Sequence, residues 1–279
     1  MEVIDIPSVT RRIAQIRQPY GGLLKPSKFK KTVFDDGIVL SEYTNISHAL
    51  IGLAVDYLTR FMLGDSKESA FRISMAGAEI CGEKELRAAK RLLKCVTGLD
   101  DQSIVNTCKL VSFDIWKRNY FGALEAITYK DVKPNASTIS NIRTMVNRSL
   151  QFWEENGPII YSGFTFELDG YSSTVSSGDG DYLTADTLWD CKVSKKNLSS
   201  QNTLQLLMYW IMGVHSKQPK YQNVQKLGVF NPKLNAAYVI NTSEIPQRTV
   251  EIVEKYVICY GIPEDALSTE IVDLSNFIV

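Results

Sequence analysis

The sequence predicts a mixed α/β chain, an α+β arrangement in which helices serve a mixed sheet, interrupted by a large helical insertion. Three observations predict it. Apolar residues recur at helical spacing from about residue 45 to residue 156; the period changes to two after Pro158; and a further helix followed by two strands precedes a closing helix. With 279 residues and 44% hydrophobic content, the chain can bury a sizeable core. The expected organisation is a single domain over 1–279, with a basic N-terminal arm at 1–40 and the helical insertion at 65–157.

A short helix can start after Ser8 and must end near Pro19 and the Gly21-Gly22 pair. Arg11, Arg12, Arg17, Lys25, Lys28, Lys30 and Lys31 make this the most basic part of the chain. It reads equally as a solvated arm or as a phosphate-contacting surface, with Arg11 and Arg12 as contact candidates. In "NISHALIGLAVDYLTRFMLG", Leu50, Leu53, Tyr57 and Phe61 form one apolar stripe, and Ile51, Val55, Leu58 and Met62 form a second. Asn45 or Ser47 caps this helix and Gly64 ends it. Asp56 is left on a narrow strip with Gly52 and Arg60, where a carboxylate needs either a partner such as Arg60 or a metal.

From Lys67 to Asn156 the pattern stays mostly helical, punctuated by Gly98 and Gly122 and closed by Gly157, and it holds no catalytic cluster. After Pro158, "IIYSGFTFELDGYSSTV" alternates, with Asp169-Gly170 as a hairpin turn. "GDGDYL" and "TLWDCKV" complete an antiparallel meander. The chain then returns to helix in "SSQNTLQLLMYWIMGVHS", to strand in "NVQKLGVFN" and "NAAYVIN", and to a helix running from Ser243 or Pro246 to about Tyr260.

Composition narrows the function. Acidic and basic residues balance at 31 each, so a polybasic binder is excluded and any contact with nucleic acid needs a local basic patch. Five scattered cysteines and two histidines cannot supply a zinc cage, and they read as reduced thiols of a cytoplasmic protein. No secretory signal and no membrane-length apolar run is evident.

The chemistry concentrates in "GDGDYLTADTLWDCKVSKK". On an extended strand, Asp190 and Lys192 are two apart and share a face, while Trp189, Cys191 and Val193 take the other. If the strand carrying Asp181 pairs beside it, two carboxylates approach across the ladder, which is repulsive unless a cation lies between them. Mg²⁺ or Mn²⁺ needs only one or two carboxylates together with carbonyl, water and phosphate oxygens. Lys192 can orient the attacking water and offset charge on a phosphodiester under attack. Gln205 and Tyr209, four apart on the next helix, can reach the same cleft, and Lys195 and Lys196 can hold flanking phosphates. Asp179, in the preceding turn, is the rival of Asp181.

Asp181, the "DCK" beginning at Asp190, and "QLLMY" together resemble the PD-(D/E)XK nuclease superfamily, and Gln205 with Tyr209 resembles the Q-x-x-x-Y signature of its RecB-like and phage-exonuclease branches. The resemblance covers the helix around Asp56 and the run from about Gly163 to Ile240. It implies a restriction-endonuclease-like core of helix, β-meander, helix and two strands. It also implies metal ligation by Asp181, Asp190 and the main-chain carbonyl of Cys191, completed by an acid on the first core helix, for which Asp56 stands in place. No proline precedes Asp181, and an aspartate occupies position 56 where glutamate is more usual. The expected function is Mg²⁺- or Mn²⁺-dependent hydrolysis of DNA, as in phage, defence or repair nucleases, with room for a homo-oligomer or a protein partner. RNA cleavage, or a non-catalytic binding module on the same fold, are the alternatives. By itself D-x-K is weak, since any half-exposed strand carries such an ion pair.

Overall fold

A computed structural model describes residues 6–125, 127–261 and 271–277. The chain divides into two compact units: a sheet unit of Met1–Phe34 with Asn156–Val279, and a helical unit of Asp35–Glu155. The described strands are β1 (Ile16–Arg17), β2 (Lys30–Val33), β3 (Tyr161–Phe164), β4 (Gly180–Leu183), β5 (Thr187–Cys191), β6 (Lys226–Asn231), β7 (Ala236–Asn241) and β8 (Val272–Asp273). Six of them form one mixed sheet in the order β2-β7-β6-β5-β4-β3, and β1 pairs in parallel with β8. The α+β class read from the sequence is therefore the class observed. Among the described residues no helix is long and apolar enough to cross a membrane.

Within the sheet, β5 and β6 pair in parallel and every other neighbouring pair is antiparallel. Parallel neighbours need a crossover, and the helix Ser200–His215 supplies it. Its start is fixed by a capping box in which Ser199 and Asn202 satisfy each other's backbone amides. Leu204, Leu207, Met208, Ile211 and Met212 bury the helix against Leu183, Leu188, Leu227 and Val229 of the sheet core. Gly180 allows a close approach: a Cβ there would stand 1.9 Å from the Phe164 ring. At Gly228 a Cβ would stand 2.3 Å from the Trp189 indole.

Three expectations change. First, the N-terminal stretch is not a free arm. Leu23, Leu24 and Phe29 enter the sheet core, and Lys30–Val33 is an edge strand on β7 with all four side chains exposed. Second, the turn near Asp169-Gly170 does not close a regular hairpin. Ser172 and Val175 make an isolated bridge, and β3 pairs instead with β4. Third, the helical unit begins at Asp35 and takes in the helix His48–Met62, which the sequence reading placed ahead of its 65–157 insertion.

Polar clamps explain that earlier boundary. Arg148, on the helix Ala136–Asn156, binds Asp36 at 2.6 Å and the Ile38 carbonyl at 2.7 Å, while Asn141 donates to the Ser41 carbonyl at 2.8 Å. The same unit buries Asp114, which accepts from Tyr57 and Ser74 hydroxyls, each at 2.5 Å. Burial holds the Asp114 carboxyl above its ordinary pKa, against the lowering effect of those donors and of Arg118.

Candidate active site

Strand register brings the two principal acids together. Tyr182 pairs with Trp189 and Leu183 with Leu188, so one step further along the same antiparallel ladder Asp181 stands opposite Asp190. Asp181 accepts a hydrogen bond from the Cys191 amide at 2.7 Å, which ties β4 to the end of β5. Asp190 is buried, and both of its carboxylate oxygens meet the Lys192 ammonium, at 3.0 and 2.9 Å. The alternation that put Asp190 and Lys192 on one face is the geometry found.

The crossover helix closes the other side. Lys192 donates to Gln205 Oε1 at 2.9 Å, and Gln205 Nε2 donates to the Tyr209 hydroxyl at 2.8 Å. Gln205 is thus the link between a strand cation and a helix phenol. Tyr209 is buried and stacks on Phe166 with ring centroids 5.2 Å apart, so its hydroxyl is fixed by packing as well as by hydrogen bonding. Trp210, beside it, packs partly buried against the core.

Electrostatics set the protonation states of this network. Burial works to lower the Lys192 pKa, but the Asp190 and Asp181 carboxylates outweigh it and hold the ammonium above its ordinary value. Burial, reinforced by the charge of Asp190, pushes the Tyr209 phenol far up. Near neutral pH, Lys192 is therefore a cation and Tyr209 a neutral phenol. Asp179 is exposed, one residue before β4, and its charge also reaches Tyr209.

The remaining candidates divide. Lys195 and Lys196 are exposed on the loop after β5, and the Lys196 amide is held by Ser194 Oγ at 3.0 Å. Arg11 is exposed on the helix Val9–Ala14. Arg12 is not a phosphate contact: it is buried, donating to the Val257 carbonyl at 2.8 Å and the Tyr256 carbonyl at 3.2 Å. Its charge is spent on the carbonyls that end a C-terminal helix, where a cation is favourable. Asp56 belongs to the helical unit and pairs with Arg60 at 2.9 Å, the ordinary partner foreseen for it.

Beside Lys192 lies a cavity of about 240 Å³ that the sequence did not disclose, lined also by Lys196, Asn197, Asn202, Asn231 and Tyr238. Asn231 and Tyr238 come from β6 and β7, some forty residues downstream, and no local pattern marks them.

Among the described residues no group of three or more His, Cys, Asp or Glu side chains could hold a metal ion. A cage made wholly of side chains is therefore not built. The donor set suits Mg²⁺ or Mn²⁺, which take one or two carboxylates and fill the remaining positions with water, carbonyl and phosphate oxygens. Family models, curated proteins and solved structures give no match to the chain, so the chemistry assigned to this site rests on its own geometry.

Proposed function

We propose that the protein hydrolyses phosphodiester bonds in DNA with Mg²⁺ or Mn²⁺, as a nuclease of the PD-(D/E)XK kind. One observation carries the reading. Asp190, Lys192, Gln205 and Tyr209 form one chain of side-chain hydrogen bonds, and the Cys191 amide holds the Asp181 carboxylate at the end of the same strand. Asp181, Asp190 and the Cys191 carbonyl would hold the cation, which when bound polarises the phosphate and acidifies its water.

The chain's own groups do the rest. Lys192 stays protonated, so it orients water and offsets charge on the phosphoryl oxygens by donating hydrogen bonds. Gln205 keeps Lys192 aimed by accepting from it. The Tyr209 hydroxyl accepts from Gln205 and so retains its own proton to donate to water or a phosphate oxygen. RNA offers the same phosphodiester and is the nearest alternative substrate. Exposed Lys195 and Lys196 supply cations for the flanking backbone.

A second reading, a nucleic-acid- or protein-binding module without catalysis, draws on one feature: Lys192 already bridges Asp190 and Gln205, as a static ion-pair network would. It predicts DNA binding indifferent to EDTA and no cleavage with any metal. The deciding assay incubates linear and circular DNA with Mg²⁺ or Mn²⁺ and the wild type, Lys192→Ala and Asp190→Ala. The expected loss in each variant is about a hundredfold or more; equal activity in all three removes the nuclease reading.

A further inference from the structure

The cavity beside Lys192 lies where the parallel strands β5 and β6 both end, the position at which such strands leave a crevice for ligands. Lysines, asparagines, serines and a tyrosine line it together with the apolar Val193, Leu198 and Val229, and among the described residues no carboxylate lines it. At about 240 Å³ it falls below the roughly 300–1,000 Å³ of pockets that engulf a small organic ligand. It has room for a piece of a chain.

Further cations converge on it from outside. Lys31, on the edge strand β2, reaches Asn197 Oδ1 at 3.0 Å and lies 5.6 Å from the centre of the Tyr238 ring. The Tyr238 hydroxyl donates to the same oxygen at 2.9 Å. With its carbonyl taken twice, Asn197 has its NH₂ group left as the donor to offer. Asn231 Nδ2 holds the Ser194 carbonyl at 2.9 Å, fixing the loop that carries Lys195 and Lys196. An anion entering this lining meets the Lys196 ammonium, the Lys31 ammonium and the Asn197 amide, all able to donate hydrogen bonds to it.

We propose that this cavity seats a phosphate group of the nucleic-acid strand, gripped by Lys196, Lys31 and Asn197, beside the phosphate that faces Asp181 and Asp190. The proposal rests on the site taking nucleic acid. It gives the basic N-terminal segment a role through Lys31.

The test is fluorescence anisotropy of a labelled DNA oligonucleotide with Ca²⁺ in place of Mg²⁺, so that the acids keep a divalent cation while Mg²⁺-dependent cleavage does not interfere, with the wild type, Lys31→Gln and Lys196→Gln. Thermal melting establishes that each variant is folded. Each substitution should weaken binding about three- to tenfold and lower the salt slope by about one. Two oligonucleotide sets separate the sources of the phosphate: loss confined to strands bearing a terminal phosphate assigns the cavity to a strand end, and equal loss with terminal hydroxyls assigns it to an internal diester. If both variants bind as the wild type does, with the same salt slope, while the wild type cleaves DNA with Mg²⁺, the cavity proposal fails and the nuclease reading survives. If the variants bind more weakly than a wild type that never cleaves, the cavity proposal stands and the nuclease reading falls. A wild type that binds no oligonucleotide overturns the cavity proposal outright.

Discussion

Lys192 answers to two partners at once, Asp190 on its own strand and Gln205 on the crossover helix, and its removal should be felt in stability as well as in catalysis. Asp190 is 2% exposed, so Lys192→Met leaves a buried carboxylate without its cation. The expected cost is about 3 kcal/mol, read by urea denaturation near pH 7. The pH dependence follows from the raised folded-state pKa of Lys192. Its contribution is complete below the unfolded lysine value of about 10.4 and is lost as pH climbs through the higher folded value. The gap between wild type and Lys192→Met should therefore stay constant from pH 7 to about 10 and narrow only above that. Residues of this kind were legible in the sequence because strand alternation and helical spacing decide which side chains share a face. Arg12 was not. Its partners are the carbonyls of Tyr256 and Val257, and nothing local distinguishes an arginine that will be buried from one that will be solvated. Asp114 escaped for the same reason, since Tyr57 and Ser74 reach it from distant parts of the chain.

At the scale of elements, the helix Arg72–Cys81 crosses the turn at Val111–Phe113 so closely that a Cβ on Gly77 would stand 2.0 Å from the Phe113 carbonyl oxygen. Gly77→Ala should gain about 1 kcal/mol in helix propensity and lose more in forced backbone separation, a net destabilisation of about 2–3 kcal/mol measurable by thermal or urea unfolding. A neutral or stabilising result would mean the two elements part without cost. Elements bounded by strong local signals were read well: Ser47 caps the helix ending at Met62, the crossover helix lies inside the stretch expected to be helical, and β4 to β7 lie inside the stretches expected to be strands. The strand β2 could not be read. All four of its side chains are exposed, so it has no alternation to show, and only backbone hydrogen bonds to β7 define it. Its two lysines suit an edge, where charge discourages pairing with another sheet.

For the whole molecule, the helical content of the middle of the chain was evident, but the limits of the unit were not, because clamps such as Asp36–Arg148 join residues 112 positions apart. The division at Asp35 and Glu155 predicts that the excised segment 35–155 folds by itself. Circular dichroism should show a helical fragment with a cooperative melt; a fragment without one would mean that the segment depends on the rest of the chain for its order. The pairing of β2 with β7 sets the order of events during synthesis. Lys30 meets Val239, more than two hundred residues later. At roughly 5–20 residues per second, the ribosome leaves that N-terminal segment without its mate for about ten seconds or longer. Leu23, Leu24 and Phe29 wait through that interval as exposed grease while the middle of the chain compacts, and the seat for Lys31 beside Tyr238 is assembled only once β7 has emerged.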